Sequence, residues 1–328
     1  MRILVCGGAG YIGSHMVMEL LEQGKEVVIL DNLEKGHKDA LLGGKFYEGD
    51  IRDRKILDKV FIENKIDAVI HFAAYIEVGE SMQDPLKYFN NNISGTINLL
   101  DAMKDHGVKY IVFSSTAATY GQPDSVPIFE MDKTIPTNAY GESKLTVEKI
   151  LKWCDKIHGI KYIALRYFNA CGAHVSGKIG ENHNPESHLI PLILQVAQGK
   201  REDIKIYGDD YDTEDGTCVR DYVHVSDLAA AHSLALDRLM RGEESAIYNL
   251  GNGKGFSVKE VIEVTRKVTG HPIPAVITGR RAGDPAFLIA SSEKAMKELG
   301  WKPKYNSLEA IVETAWNWHK NHPNGFEK

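Results

Sequence analysis

The sequence predicts an α/β protein built on a doubly wound parallel sheet. Two observations carry this prediction. A glycine-rich turn at residues 7–13 follows the apolar run at residues 3–6 and precedes a helical pattern. Over residues 1–168, short apolar runs alternate with amphipathic stretches, which is typical of repeated β–α–β units.

Each element is predicted from its hydrophobic pattern. Strands are expected at residues 3–6, 27–30, 68–72, 110–113 and 162–166. Helices are expected at residues 14–22, 55–64, 85–106, 139–158, 189–198 and 225–239. The polar segment 172–187 contains six Gly, Pro or Ser residues and is expected to form a loop.

The glycine turn is the first candidate site. Gly7, Gly10 and Gly13 are spaced three apart between a strand and a helix, as a dinucleotide-binding turn requires. The helix N-terminus then offers free N–H groups to a pyrophosphate. Asp31 ends the next strand, eighteen residues beyond Gly13. A carboxylate there accepts hydrogen bonds from ribose hydroxyls and repels a 2′-phosphate, so the pattern favours NAD over NADP.

Tyr140 and Lys144 form the second candidate site. They are one helical turn apart, so both side chains can face the same side. A tyrosine with a pKa of about 10 becomes a base near pH 7 only beside positive charge, which Lys144 and an oxidised nicotinamide ring would supply. Thr116 adds a hydroxyl at the end of an expected strand, where open α/β sheets bind ligands.

Bulk composition excludes other classes. The 328 residues carry a formal net charge of −6 without a basic stripe, so no nucleic-acid partner is expected. No apolar run approaches about 18 residues, so no membrane span is expected. Cys6, Cys154, Cys171 and Cys218 lack paired spacing. Disulfides and structural zinc are therefore not expected, and the pattern favours a cytoplasmic location.

These motifs resemble the extended short-chain dehydrogenase/reductase superfamily and, within it, the UDP-sugar 4-epimerases. The matching segments are residues 7–15, 31–33, 48–52, 71–74, 78–81, 90–96, 140–144, 166–169, 213–228, 248–251 and 280–284. The resemblance implies a Rossmann-like dinucleotide-binding lobe at residues 1–168 plus about 218–247. It also implies a smaller, discontinuous UDP-sugar-binding lobe at about 169–217 and 248–328, and a homodimer.

The activity that the resemblance implies is reversible C4 epimerisation of UDP-glucose and UDP-galactose. It would proceed through a transient 4-keto sugar, with the hydride held on bound NAD. Tyr140, Lys144 and Thr116 would be catalytic. The implied cofactor-binding residues are Gly7, Gly10, Tyr11, Ile12, Gly13, Asp31, Asn32, Asp50, Ile51, Phe72, Ala73, Ala74, Asn91, Tyr140, Lys144 and Phe168.

The resemblance also implies a substrate wall. Its residues are Thr116, Tyr140, Asn169, His188, Leu189, Lys205, Ile206, Tyr207, Arg220, Arg281, Asp284 and Leu288. Arg220 and Arg281 match positions that contact the substrate pyrophosphate, which suits the planar guanidinium fork. From the residues alone, a surface salt bridge with Asp221 or Asp284 is the favoured interpretation of each arginine.

Two departures from the family pattern bear on the substrate and the cofactor. Leu288 stands where some relatives have tyrosine, which leaves room near the sugar C2 and predicts that N-acetylated UDP-sugars are accepted too. Ile76 stands where some epimerases have a lysine that contacts the cofactor, so this chain must hold the cofactor phosphates without that cation.

Three functions other than C4 epimerisation share parts of this sequence pattern. A uronate or pentose epimerase differs only in the wall around C5. A 4,6-dehydratase needs an acid pair just after Thr116, and the segment 116–120 carries no carboxylate. A non-catalytic NAD-binding regulator has no need of Tyr140 and Lys144, which are both present.

A metal site is not expected. His183 and His188 are five apart beside Glu181 and Glu186, and this spacing matches no zinc motif. The acidic run at residues 209–215 lacks the glycine and terminal glutamate of a calcium loop.

Overall fold

The computed structural model describes residues 1–281 and 284–326. Its strands are β1 (Arg2–Cys6), β2 (Glu26–Asp31), β3 (Lys45–Glu48), β4 (Ala68–His71), β5 (Tyr110–Ser114), β6 (Lys161–Tyr167), β7 (Asn169–Cys171), β8 (Ile204–Tyr207), β9 (Val219–Arg220), β10 (Tyr222–His224), β11 (Ala246–Leu250), β12 (Phe256–Ser257), β13 (Ala275–Thr278) and β14 (Phe287–Leu288). Its helices are α1 (Tyr11–Glu22), α2 (Arg54–Glu63), α3 (Val78–Ser81), α4 (Pro85–Tyr88), α5 (Gly95–Asp105), α6 (Ala139–His158), α7 (Leu189–Ala197), α8 (Val225–Met240), α9 (Val258–Thr269), α10 (Glu293–Leu299) and α11 (Leu308–Asn321).

Seven parallel strands form the central sheet, in the order β11-β6-β5-β4-β1-β2-β3. Helices cover both faces, so the inner strands are continuous apolar runs; in β1, Ile3, Leu4, Val5 and Cys6 are all fully buried. One face packs against α1, α8 and α10, and the other against α2, α5 and α6. The predicted doubly wound, Rossmann-like fold is confirmed.

Strand order reverses between β1 and β4, which are neighbours in the sheet although β2 and β3 lie between them in the chain. In open α/β sheets the crevice at this switch point, outside the carboxyl ends of the strands, is where ligands bind. The glycine turn follows β1 at this position. The fold therefore places the expected ligand-binding crevice beside residues 7–13.

The helical stretch predicted at residues 85–106 contains one irregular segment. Phe89–Ser94 is π-helical and joins α4 to α5, so the chain is helical from Pro85 to Asp105. Within it, Asn92 Nδ2 donates to the Tyr75 carbonyl and to Ser143 Oγ, at 3.1 and 3.0 Å. Wide turns of this kind are frequent at functional sites.

The second part of the chain has its own core. Apolar residues of α7, α9 and α11 pack around β8 and β10, with Ile193, Val261 and Ile311 fully buried at its centre. The small sheets β8–β13 and β9–β12–β14 flank this core. No helix among the described residues has both the length and the hydrophobicity to cross a bilayer.

We propose a division into two lobes that differs slightly from the one expected from the sequence. The expected boundary at residue 247 cuts β11, which is the edge strand of the central sheet and pairs with β6 along its whole length. Placing the boundary after Leu250 keeps the strand whole. Helix α10 also packs onto the core of the large sheet, through Ala295 and Leu299.

Candidate active site

The glycine turn connects β1 to α1 in a conformation that larger residues do not adopt. Gly7 has a φ of +79°, and a Cβ on it would lie 2.5 Å from the Ala73 nitrogen. A Cβ on Gly13 would lie 2.0 Å from the Gly7 carbonyl oxygen. Both positions therefore require glycine, because the helix packs directly on the turn.

The N-terminus of α1 is open to an anion. Its N-cap, Gly10, makes no side-chain cap, and the first turn carries no acidic residue. Tyr11 and Ile12 begin the helix, with Ile12 packed on the core and the Tyr11 hydroxyl donating to the Gly172 carbonyl at 2.6 Å. Free N–H groups and the positive end of the helix dipole suit a pyrophosphate. The turn therefore fits the dinucleotide expected from the sequence.

Asp31 lies at the end of β2, beside the turn, and is buried. Its carboxylate accepts backbone N–H bonds from Ala9 and Leu33, both at 2.9 Å. Burial raises the pKa of Asp31, and the two N–H bonds oppose that change. Asp31 thus braces the glycine turn as well as standing where a ribose would bind, a second role that the sequence did not reveal.

The structure brings Asn32 and Asp50 together, at the ends of β2 and β3. Asn32 Nδ2 donates to Asp50 Oδ2 at 3.0 Å. Hydrogen bonds from Arg52 lower the pKa of Asp50 to about 2. Ile51 is buried beneath Gly95 of α5. These groups extend the site from the switch point across β2 towards β3.

The other predicted cofactor residues lie on the opposite side of the turn. Phe72, Ala73 and Ala74 follow β4, where the Ala73 N–H donates to the Cys6 carbonyl at 3.0 Å. Asn91 is buried in the π-helical stretch, and Phe168 lies between β6 and β7. The carboxyl ends of β1, β2, β4 and β6 therefore gather the predicted cofactor residues along one edge of the sheet.

Two of the predicted catalytic residues, Thr116 and Tyr140, lie near each other beyond the end of β5. Thr116 Oγ1 accepts the Ala118 N–H at 3.1 Å, which leaves its own proton free to donate. Tyr140, at the start of α6, is close enough for the Thr116 hydroxyl to influence its pKa. Burial raises the pKa of Tyr140 to about 12, and the Thr116 hydrogen bond opposes the rise. A phenolate at neutral pH therefore needs further positive charge at this position.

Lys144 is the source of charge that the chain itself provides. It is buried one turn beyond Tyr140 on α6, and its Nζ donates to the Ser114 carbonyl at 2.8 Å. Burial lowers the pKa of Lys144 to about 7, and the nearby Glu148 carboxylate opposes that change. A lysine poised near neutrality can take up a proton as negative charge develops on its neighbour.

Glu148 and Arg166 support the site and were not predicted. Arg166 Nε donates to Glu148 Oε1 at 2.9 Å and Nη2 to Oε2 at 2.5 Å, with both side chains buried. Ser115 Oγ donates to the same carboxylate at 2.5 Å. The signal was present in the sequence, because Tyr140, Lys144 and Glu148 are spaced four apart on one helix face.

Replacing Lys144 by methionine is expected to change how stability depends on pH. Between pH 7 and pH 10.5 the unfolded chain binds a proton on this lysine that the folded chain does not. The parent protein therefore gains stability with rising pH, by up to about 1.4 kcal/mol per pH unit from this group. The variant lacks this gain, so the unfolding free energy of the parent increases relative to that of the variant as pH rises.

Urea unfolding at pH 7 and at higher pH measures this difference. Lys152→Met, at an exposed position on the same helix, should follow the parent at every pH. Parallel pH profiles for Lys144→Met and the parent would contradict the lowered pKa of Lys144.

On the substrate side, Arg220, Asp284 and Leu288 lie together. Arg220 Nη2 is 3.5 Å from Asp284 Oδ1, and β14 places Leu288 in register with Arg220 on β9. Asp221, the other expected partner of an arginine, is fully buried. Its carboxylate instead accepts the backbone N–H groups of Asn252, Gly253 and Ala290, at 2.5, 3.2 and 3.2 Å.

The remaining wall residues divide into two groups. The Arg281 guanidinium stacks 3.8 Å from the centre of the Tyr207 ring at the end of β8. On the same strand the Lys205 ammonium pairs with Asp203 at 2.9 Å. The Ile206 side chain is buried in the core of the second part of the chain, because alternate residues of a strand face opposite sides. Ile206, predicted as part of the substrate wall, could therefore line that wall only through its backbone.

Asn169, His188 and Leu189 lie at element boundaries. Asn169 begins β7 and its Nδ2 donates to the Asp221 carbonyl at 2.9 Å. His188 is the N-cap residue of α7 and Leu189 its first residue. The His188 ring faces Glu181, and the His188 N–H donates to Glu186 Oε1 at 2.9 Å.

The site and the fold together define a class of protein. Residues 3–251 match the NAD dependent epimerase/dehydratase family, and the chain belongs to that family. The cofactor predicted from the glycine turn and Asp31, NAD, is thereby confirmed, as is the prediction of an NAD-dependent epimerase.

Within this family, the chain is similar to individual UDP-glucose 4-epimerases. The chain is 63% identical to the UDP-glucose 4-epimerase of Halalkalibacterium halodurans over 326 residues, which are 99% of this chain and 98% of that one. A crystal structure of a UDP-glucose 4-epimerase has a TM-score of 0.99 at 56% identity, covering 100% of both chains. The UDP-glucose 4-epimerase from Bifidobacterium longum in complex with NAD⁺ and UDP has a TM-score of 0.94 at 44% identity, covering 99% of this chain and 100% of that one.

Proposed function

We propose that the protein interconverts UDP-glucose and UDP-galactose by reversible oxidation at C4 of the sugar. The observation that carries the proposal is the Thr116–Tyr140–Lys144 arrangement beyond the end of β5, at the same sheet edge as the glycine turn. UDP-glucose 4-epimerases that match the chain over nearly its whole length support the choice of substrate.

The side chains have separate tasks in this reaction. Tyr140, as phenolate, removes the proton of the C4 hydroxyl, and Thr116 donates a hydrogen bond that stabilises the phenolate. Lys144 supplies the compensating positive charge. The glycine turn and Asp31 would hold NAD, which would supply reversible hydride transfer at C4 of the sugar.

Inverting C4 requires the sugar to turn while the nucleotide stays in place. Arg220 and Arg281, the arginines of the substrate wall, are proposed to hold the diphosphate. Arg220 is mostly buried against Asp284, and Arg281 is stacked on Tyr207, so these contacts restrict the motion of both guanidinium groups. The sugar itself needs few strong contacts, because both of its orientations must be accepted.

Product analysis by NMR tests the proposal. The enzyme, supplied with NAD, is incubated separately with UDP-galactose, UDP-N-acetylgalactosamine and UDP-glucuronate. The resonances of UDP-glucose should appear in the first sample and reach a steady ratio with those of UDP-galactose. Turnover of UDP-glucuronate alone would overturn the proposal in favour of a uronate epimerase.

N-acetylated sugars are proposed as further substrates because Leu288 is shorter than the tyrosine found in some relatives. Replacing Leu288 by tyrosine is expected to abolish turnover of UDP-N-acetylgalactosamine and to leave most UDP-galactose turnover in place, since only the N-acetyl group needs the extra room. Leu288→Met, a similar volume, should retain both activities. Parent enzyme that never converts UDP-N-acetylgalactosamine would contradict this extension.

A homodimer in the cytoplasm is proposed as the working state. Helices α5 and α6 carry large apolar side chains on their outer faces; Ile97, Trp153 and Ile157 are 46%, 61% and 64% exposed. Helices α5 and α6 are in contact, and several large apolar side chains exposed on neighbouring helices support an interface at this surface. Sedimentation equilibrium measures the mass of the assembly.

A further inference from the structure

The segment between β7 and α7 gathers four side chains with metal-ligating atoms. Glu181, His183, Glu186 and His188, here called the Glu/His cluster, each contribute one ligand atom, and these atoms all lie within 4.8 Å of one another. His183 Nδ1 is 3.3 Å from Glu181 Oε1 and 3.7 Å from Glu186 Oε2. His188 Nδ1 is 2.5 Å from Glu181 Oε1 and 3.8 Å from Glu186 Oε1.

These separations suit a tetrahedral ion. Zinc binds imidazole nitrogen and carboxylate oxygen at about 2.0–2.2 Å, so four tetrahedral ligand atoms lie roughly 3.3–3.6 Å apart. Three of the four separations are within about half an ångström of that range. The shortest, between His188 and Glu181, is a direct hydrogen bond that an ion would open by about 1 Å.

Burial and charge also point to a cation. The Glu181 side chain is only 3% exposed and that of Glu186 only 5%. Two shielded carboxylates at one point are costly unless positive charge compensates them, and that charge comes either from protonation of the two imidazoles or from a bound ion. His183 Nδ1 is itself shielded and has no well-aligned hydrogen bond among the described residues, although carboxylate oxygens are near. A divalent ion would satisfy this nitrogen and neutralise both carboxylates.

The ligands are held in place by neighbouring groups. Glu186 Oε1 accepts the Ser187 and His188 N–H groups at 2.8 and 2.9 Å. The Glu181 backbone is fixed by Trp318 of α11, whose Nε1 donates to the Glu181 carbonyl at 3.2 Å. Such supporting contacts orient metal ligands before the ion binds.

We propose that the Glu/His cluster binds one Zn²⁺ ion in a closed structural site. Imidazole ligands favour zinc over the oxygen-preferring Mg²⁺ and Ca²⁺. A metal site was not expected from the sequence because the spacing of these residues matches no zinc motif. The site is formed by an irregular loop, whose folding brings the ligands together without a regular repeat.

The ion would join two parts of the molecule. The His183 ring packs edge-on against the ring of Tyr11, the first residue of α1, at 6.1 Å between centres. Tyr11 also donates to the Gly172 carbonyl, at the start of the same loop. His188 caps α7. Zinc would therefore fix the loop between the dinucleotide turn and the start of α7.

Metal binding to untagged protein tests the proposal. After chelation and buffer exchange, the full-length protein is titrated with Zn²⁺ in competition with a chromophoric chelator, and bound metal is counted by mass spectrometry. We expect about one zinc per chain and a higher melting temperature on adding Zn²⁺, but not on adding Mg²⁺. With Co²⁺ in place of Zn²⁺, the visible bands of a tetrahedral ion are expected.

Two variants separate this site from other histidines. His183→Ala combined with Glu186→Gln should weaken zinc binding at least about tenfold and abolish the rise in melting temperature. His271→Ala, at an exposed position, should bind zinc as the parent does. If the double variant fails to fold, the Co²⁺ spectrum of the parent decides the geometry.

Some outcomes would overturn the site. Parent protein that takes up no Zn²⁺ at micromolar concentration would show the Glu/His cluster to be a proton-sharing network of imidazoles and carboxylates. A double variant that binds zinc as tightly as the parent would place the metal elsewhere. An octahedral Co²⁺ spectrum would contradict the closed four-ligand geometry.

Discussion

Replacing Tyr140 by phenylalanine is expected to lower epimerase turnover about a hundredfold to ten-thousandfold, the usual contribution of a general base. The variant keeps the ring and loses only the hydroxyl that meets Thr116. Binding of NAD and of UDP should change little, because the glycine turn and Arg220 are untouched. Turnover of UDP-galactose and fluorescence titration with NAD measure the two quantities separately.

The matched control is Tyr110→Phe. Tyr110 begins β5, at the opposite end of the strand that leads to Thr116, and is half-buried against the core. Loss of the Tyr110 hydroxyl should leave turnover within about twofold of the parent, since in the described part of the chain Tyr110 makes no hydrogen bond to Thr116, Tyr140 or Lys144. Undiminished turnover of Tyr140→Phe would show that another group removes the C4 proton.

Replacing Gly13 by alanine is expected to remove most NAD binding. The added methyl group would lie 2.0 Å from the Gly7 carbonyl and 2.9 Å from Gly8 Cα, both backbone atoms that cannot rotate away. Helix α1 must move off the turn, which costs about 1–3 kcal/mol and misplaces the N–H groups that face the pyrophosphate. We expect the dissociation constant of NAD to rise at least about tenfold.

Calorimetric titration with NAD checks this expectation, and circular dichroism establishes that the variant is folded. Gly79→Ala in α3 is the control, because a Cβ there meets no atom within 4 Å. A Gly13→Ala variant that binds NAD like the parent would mean that the turn tolerates a shift of the helix.

The sequence predicted the parts of the site whose chemistry depends on neighbours in the chain. The glycine turn, Asp31 and the Tyr140–Lys144 pair follow local rules: turn geometry, strand ends and one helical turn. The structure adds that Asp31 also holds Ala9 in the turn. That second role depends on the distance between two strand ends, which no local pattern specifies.

Other features could not be read from local patterns. Arg166 of β6 is eighteen residues beyond its partner Glu148, so this pair forms only after α6 packs on the sheet. The helix expected at residues 85–106 is present, but its π-helical segment was not predicted; there the side chain of Asn92 bonds to the Tyr75 carbonyl, outside the helix. The boundary expected at residue 247 overlooked β11, whose short apolar run has too few residues to distinguish strand from loop.

Helix α6 carries both the proposed catalytic pair and part of the surface proposed for subunit contact. Its inner face carries Tyr140 and Lys144 at one end, and its outer face carries Trp153 about 20 Å further along the axis. A helix resists bending over this length, so a displacement of its outer end would also move Tyr140. Subunit association at Trp153 would thereby set the alignment of the chemistry without contributing a single atom to it.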